Sequence, residues 1–292
     1  MACPCHGQPL TRYQDQHLLP ENKAKELAGR APVVSSGGVL GGGSLTNLVM
    51  YSRAQRSEFD SWKTPGWSAE DMLPYLRKSN LTCSSKPITA QARKTATAMM
   101  APSTSTFTVH PYSRGHIHIT GPELGGAIDF ETGFFSDPRG LDIRKQVWAY
   151  KKQREVVRRM AAYRGEVAGG HPPFAAASGA ACVEKDGPLA GDVQDIKYTA
   201  TDDAVIEQLL RESVGTTWPS LGTCKMGPYE KCGVVDARLG VYGIEGLKIA
   251  DLSVLPGNVT ANTNNTALTV GEKAADIFIE ELGLGRVVVA AV

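Results

Sequence analysis

Apolar residues recur at helical spacing along several stretches of the chain. After Ser68-Ala-Glu-Asp71, a capping box, Met72, Leu73, Tyr75 and Leu76 form one buried stripe, and Arg77-Lys78 suit the carbonyl end of that helix. Over Ile143–Arg164 the inner face is Val147, Tyr150, Val157 and Met160, with Arg and Lys outside. Thr199-Ala-Thr-Asp202 opens a helix through Val214 that carries Val205, Leu209 and Leu210, and a last helix, Thr266–Leu282, is stopped by Gly283. Glu21–Leu27 is a shorter helical candidate. Strand-like alternation marks Phe107 and Val109, then Ile117 and Ile119 beyond the turn Pro111–Gly115, and again Ala127–Phe130. Leu247, Ile249 and Ala250 read as a short buried strand that ends on Asp251. Helices and strands are mixed, so the fold class is α/β of α+β character. Between these elements, Cys83–Ser105 is rich in Ser, Thr and Ala without a period and reads as a linker, and Gly165–Asp195 reads as loop. No internal repeat is visible.

Composition narrows the field. At 292 residues, with 42% hydrophobic and 21% charged residues, the chain is long enough for roughly two globular domains. A net charge of +1 gives no reason to expect nucleic acid or an acidic membrane as partner. No apolar run approaches the ~18 residues of a membrane span. The opening MACPCHGQPLTRYQDQ lacks the apolar core of a secretory leader, and the closing Val-Ala-Ala-Val is not a Ser-Lys-Leu type address. The expectation is an intracellular, cytoplasmic chain whose 6 cysteines are free thiols and whose sequons at Asn80, Asn258 and Asn264 stay unmodified. Homo-oligomerisation is left open.

Candidate chemistry sits in few places. Cys3, Cys5 and His6 cluster tightly but lack a fourth ligand, so they read as a reactive tail and no metal site is expected. His116 and His118, two apart, project from one face of their strand, again without a third ligand. In Gly41-Gly42-Gly43-Ser44-Leu45-Thr46-Asn47, three glycines let the backbone approach a ligand, and Ser44 and Asn47 can bond to it or cap the next turn. Asp251, an acid at the end of an apolar run, is expected to leave the sheet for something polar. The stretch Pro256–Thr266 is packed with short amides and hydroxyls ahead of a helix, whose free N–H groups suit an electron-rich atom.

These motifs carry a resemblance. Thr216-Thr217-Trp218-Pro219-Ser220-Leu221-Gly222-Thr223-Cys224, then Leu247-Lys248-Ile249-Ala250-Asp251-Leu252-Ser253, then the loop with Asn262, resemble the C-terminal signature of the glucose-methanol-choline (GMC) flavin oxidoreductases, above all the fungal alcohol (methanol) oxidases. The Gly41–Asn47 loop with Tyr51-Ser-Arg53 is similar to that family's first signature. The resemblance implies a partial GMC fold: an incomplete FAD-binding, Rossmann-like part plus an antiparallel-sheet substrate part. It implies FAD as cofactor, held by Gly41, Gly42, Gly43, Ser44, Asn47, Asp251, Asn262 and Thr263, and a small alcohol as substrate. Asn262 is the catalytic residue it implies, and Pro219 occupies the position of the family's catalytic histidine. The Gly-x-Gly-x-x-Gly turn that starts FAD binding is absent, as is the long family segment at Cys83–Ser105, so the chain reads as truncated and internally deleted. The boundaries that follow are a tail 1–32, an FAD-side segment 33–82, a linker 83–105, a substrate-side domain 106–200, a C-terminal FAD-side segment 201–285 and a tail 286–292. The functions in view are an alcohol oxidoreductase, a weakly active or inactive remnant acting through binding, and a subunit whose site is completed by another chain.

Overall fold

A computed structural model describes residues 16–37, 42–46, 52–82, 106–123, 126–183, 189, 191–217 and 219–285. The Cys3/Cys5/His6 cluster, Gly41, Asn47, Trp218, the Cys83–Ser105 segment and the 286–292 tail lie outside these residues. The fold is mixed α/β and divides into two compact units. One takes in the described parts of Met1–Leu19, Val33–Pro87 and Thr216–Val292, the other those of Pro20–Pro32 and Ile88–Gly215.

In the first unit β1 (Gln16–Pro20) pairs with β2 (Val33–Gly37), and three helices follow: α1 (Gly43–Thr46), α2 (Arg56–Ser61) and α3 (Ala69–Thr82). The capping box expected at α3 is present: Asp71 accepts the Ser68 amide at 3.0 Å and the Ser68 hydroxyl at 2.6 Å. Met72 and Leu76 are buried from α3, with Phe59, Trp62 and Trp67 beside them. Met226, Val235, Leu239, Val254, Leu255, Val259, Val270 and Ala274 complete one core from the last third of the chain. Fully burying side chains of this size is worth about 1.5–3 kcal/mol each. That burial is what holds two distant stretches of sequence together. The Trp67 indole N–H donates to the Ala237 carbonyl at 2.9 Å, which satisfies the one polar atom of a ring that is 1% exposed.

The buried strand expected over Leu247–Ser253 does not form. The segment makes one isolated bridge, Gly240 to Lys248, and Leu247 is 46% exposed. Its apolar content is satisfied by packing Ile249, Ala250 and Leu252 on the core without a ladder. The last helix, α6 (Thr263–Glu281), begins three residues ahead of the expected start because Asn262 caps it, and Gly283 follows its end at φ +64.

In the second unit β3 (His116–Ile119) pairs antiparallel with β4 (Ile128–Glu131), His116 opposite Glu131 and His118 opposite Asp129. Phe107 and Val109 are not in a strand; the partner of β3 is the Ala127–Phe130 run. Gly115 and Gly133 lie so close that a Cβ on either would meet the other strand's backbone. Glu21–Leu27 yields only a 3-10 turn, Lys25–Leu27.

Helix α4 (Leu141–Arg158) corrects the sequence reading most sharply. Its buried face is Asp142, Ile143, Gln146, Arg154, Glu155 and Arg158, while Met160, expected inside, is 49% exposed. Val147, Tyr150 and Val157 of the expected face are half-buried, and Glu166 explains why Arg154 and Arg158 join them inside. Its carboxylate accepts from Arg154 at 3.0 and 2.8 Å and from Arg158 at 3.1 and 2.9 Å, and takes the Val183 amide at 3.0 Å. Burial alone would raise this carboxyl, but the hydrogen bonds from Arg154, Arg158 and Val183 bring it down to about 2. Helix α5 (Ala200–Ser213) starts on the expected Thr199/Asp202 capping box and buries Ile206. It packs on α4 and belongs to this second unit, not to the C-terminal segment that the sequence reading began at residue 201.

Candidate active site

The glycine loop and the start of α6 lie in the same unit. At the loop's base a Cβ on Gly37 would run into the Gly42 backbone, and Gly42 itself has φ +51, so this turn needs glycine at both positions. Helix α1, which begins at Gly43 and Ser44, packs against α6.

The segment between α1 and α3 then holds the Asn262 loop in place. Glu58, buried at 8% exposure, accepts the Gln55 amide at 2.7 Å through one carboxylate oxygen and the Thr260 amide through the other. Two residues on, the Asn262 amide donates to the Ser52 hydroxyl at 2.7 Å. Neither contact was read from the sequence. Gln55 and Glu58 carry the Gln-x-x-Glu spacing of a cap, which was the available signal, but the second partner is 202 residues away.

Asn262 is half-buried and serves as N-cap: its side-chain oxygen accepts the Asn264 amide at 3.0 Å. That engages the acceptor end of the amide and leaves its NH2 group as a donor. In the first turn that follows, the Thr263 and Thr266 hydroxyls are buried at 7% and 1% exposure and find no hydrogen-bond partner among the described residues. Orphaned hydroxyls at the positive end of a 19-residue helix fit an electronegative ligand atom. Asp251 turns out to cap its own 3-10 turn, accepting the Ser253 amide at 2.8 Å, and is exposed.

The Pro219 stretch is tied alongside. Amides of Gly222, Cys224 and Met226 donate to carbonyls of Leu252, Ser253 and Val254 at 3.2, 2.9 and 2.8 Å. Gly222 has φ +78, and a Cβ there would sit 3.3 Å from the Leu255 carbonyl, so its turn also requires glycine. Pro219 is exposed and brings no titratable group.

The histidines belong to the second unit. His116 and His118 stack, with ring centroids 5.3 Å apart, and His116 lies 3.2 Å from Asp129. Among the described residues no group of three His, Cys, Asp or Glu side chains is arranged to hold a metal ion. His171 meets the Tyr150 hydroxyl at 2.6 Å, and burial, with Arg154 nearby, holds its imidazole below the ordinary value, hence neutral.

Comparison with known proteins decides the family. The N-terminal GMC oxidoreductase model matches residues 17–124, and the C-terminal one matches residues 111–271. The chain belongs to the GMC oxidoreductase family. Alcohol oxidase 1 of Komagataella phaffii is 41% identical over 221 residues, covering 61% of this chain and 33% of the relative. Alcohol oxidase of Candida boidinii is 39% identical over 222 residues with the same coverage, and choline oxidase of Arthrobacter globiformis is 28% identical over 170, or 58% and 27%. Among solved structures, an FAD-dependent oxidoreductase from Chaetomium thermophilum superposes with a TM-score of 0.47 at 25% identity, over 61% of this chain and 26% of that one. This GMC oxidoreductase chain therefore spans about a third of the length of the alcohol oxidases it matches. Among its described residues, no helix is long and apolar enough to cross a membrane.

Proposed function

We propose that this chain is an FAD-binding alcohol oxidoreductase, alcohol oxidase-like, which acts on the CH–OH group of a small alcohol. The observation that carries the reading is the start of α6: a half-buried Asn262 cap followed by two buried, unpartnered threonine hydroxyls, in a chain 41% identical to alcohol oxidases over its matched part. Bound FAD would supply the hydride acceptor that no side chain can. Gly41, Gly42, Gly43, Ser44 and Asn47 on the loop side, with Asp251, Asn262 and Thr263 on the helix side, would hold it.

The chain's own residues then have limited tasks. The Asn262 amide nitrogen donates to the alcohol oxygen and orients it, because the oxygen of that amide is committed to the cap. Glu58 and Ser52 keep the loop from drifting. No base stands at Pro219, so the hydroxyl proton passes to water, and a missing general base costs ~10²–10⁴-fold in rate. The resulting picture is a slow oxidoreductase with loosely held FAD.

Purified chain mixed with FAD and then gel-filtered checks this. The expected result is partial retention of flavin colour and slow anaerobic bleaching by a primary alcohol. Complete absence of retained or titratable FAD would overturn the cofactor assignment. A second reading, a remnant that binds but does not turn over, is favoured by Pro219; it predicts retained flavin that no alcohol bleaches.

A further inference from the structure

A cavity of about 560 Å³ opens on the first unit, away from the residues assigned above, lined in part by Gly66, Trp67, Tyr75, Lys273, Asp276 and Ile277. Its volume falls in the range of small-molecule sites. Lys273 is the unusual member. It comes from the middle of α6, is half-buried, and its ammonium makes no hydrogen bond or ion pair with any described residue. It lies 5.2 Å from the centre of the Trp67 ring and 5.0 Å from that of Tyr75. Trp67 is itself sealed in the core, so the amine is held against two ring faces in the wall of the cavity. Asp276, three residues on, lines the same cavity from the same face of the helix.

We propose that Lys273 is a carbonyl-capturing amine, condensing reversibly with a small aldehyde that enters this cavity. The neutral Nζ attacks the carbonyl carbon, forming the C–N bond while the carbonyl oxygen takes up a proton. The carbinolamine then loses that oxygen as water and leaves an imine, and the Asp276 carboxylate passes the protons. Atoms and electrons balance without an oxidant. The neutral amine the step needs is favoured by burial, which lowers the basicity of Lys273 and outweighs the opposing pull of Asp71 and Asp276. Each tenfold loss of basicity raises the neutral fraction near neutral pH about tenfold. The inference does not rest on the alcohol chemistry above, since the aldehyde can be added from outside.

The test is reductive trapping on the intact chain. Propionaldehyde and sodium cyanoborohydride are added near neutral pH, and the secondary amine formed on each lysine is quantified by peptide mass spectrometry. Lys273 is expected to label faster than the exposed Lys23, Lys25 and Lys145, with a rate that saturates in aldehyde. Asp276→Asn should slow Lys273 several-fold and leave Lys23, Lys25 and Lys145 alone. In urea the advantage should vanish. Labelling of Lys273 at or below the rate of the exposed lysines in the folded chain overturns the proposal, as does an advantage that survives unfolding.

Discussion

Replacing Glu166 by glutamine keeps the shape of the side chain and removes its charge. In the native chain this one carboxylate neutralises two guanidinium groups whose side chains are 3% and 9% exposed. Without it, Arg154 keeps the Ala180 carbonyl at 2.9 Å and Arg158 keeps the Ala181 carbonyl at 3.4 Å, and two buried cations face each other uncompensated. Breaking a buried pair in this way costs about 3–5 kcal/mol. The carboxyl itself gives a comparable figure. Held at about 2 against an ordinary 4.5, it contributes about 3 kcal/mol of stability that is complete above the unfolded value. That contribution drains away as pH falls from about 4.5 towards 2. Urea unfolding followed by circular dichroism, with hydrogen exchange on peptides of α4 and the Glu166 loop to localise the loss, measures both effects. Glu166→Gln should lose about 3 kcal/mol at neutral pH and lack the acid-dependent loss that this site gives the parent. A loss below about 1 kcal/mol, or an unchanged acid profile in those peptides, refutes the account of α4 as a helix held by buried charge.

Further outcomes follow from other contacts. Glu58→Ala should raise hydrogen exchange at Gln55 and Thr260 and weaken flavin retention together, because both backbone partners of one carboxylate are released; loss of one without the other contradicts the linkage. Thr199→Ala removes the cap of α5, whose hydroxyl accepts the Asp202 amide at 3.2 Å, and should cost about 1 kcal/mol in thermal or urea unfolding. Pro219→His, assayed in FAD-loaded protein, should speed alcohol-dependent flavin reduction by up to ~10²-fold, since an imidazole is neutral and basic near pH ~6.5–7. Equal rates with flavin bound would remove Asn262 from its assigned role as well.

What could be read from the sequence were the features written in local chemistry. The Ser68/Asp71 and Thr199/Asp202 caps and the Gly283 stop need only residues a few positions apart, and each stands where its pattern places it. Features decided by distant partners were not legible. Arg154 and Arg158 look like a solvated face until Glu166 doubles back beneath them. Leu247–Ser253 looks like a strand until its neighbours offer a single bridge. At the candidate site, Asn262 was visible through its loop and its family pattern. Ser52 and Glu58 were not, since nothing in a helix start names a loop some 200 residues later as its second acceptor's target.

The make-up of the first unit has a consequence for how the protein is made. Its core joins residues of Val33–Pro87 to residues of Thr216–Val292, with the whole Ile88–Gly215 stretch of the second unit synthesised in between. On the ribosome, Phe59, Trp62, Trp67, Met72 and Leu76 emerge early and have only one another to pack on until Met226, Val254 and Val270 follow. At ~5–20 residues per second that interval lasts many seconds, during which a cluster of large aromatic and aliphatic side chains stays open to chaperones or to other nascent chains. A chain arrested at Gly215 should therefore hold a folded Glu166–arginine network and still bind hydrophobic dyes strongly, a separation of order and stickiness that the completed protein does not show.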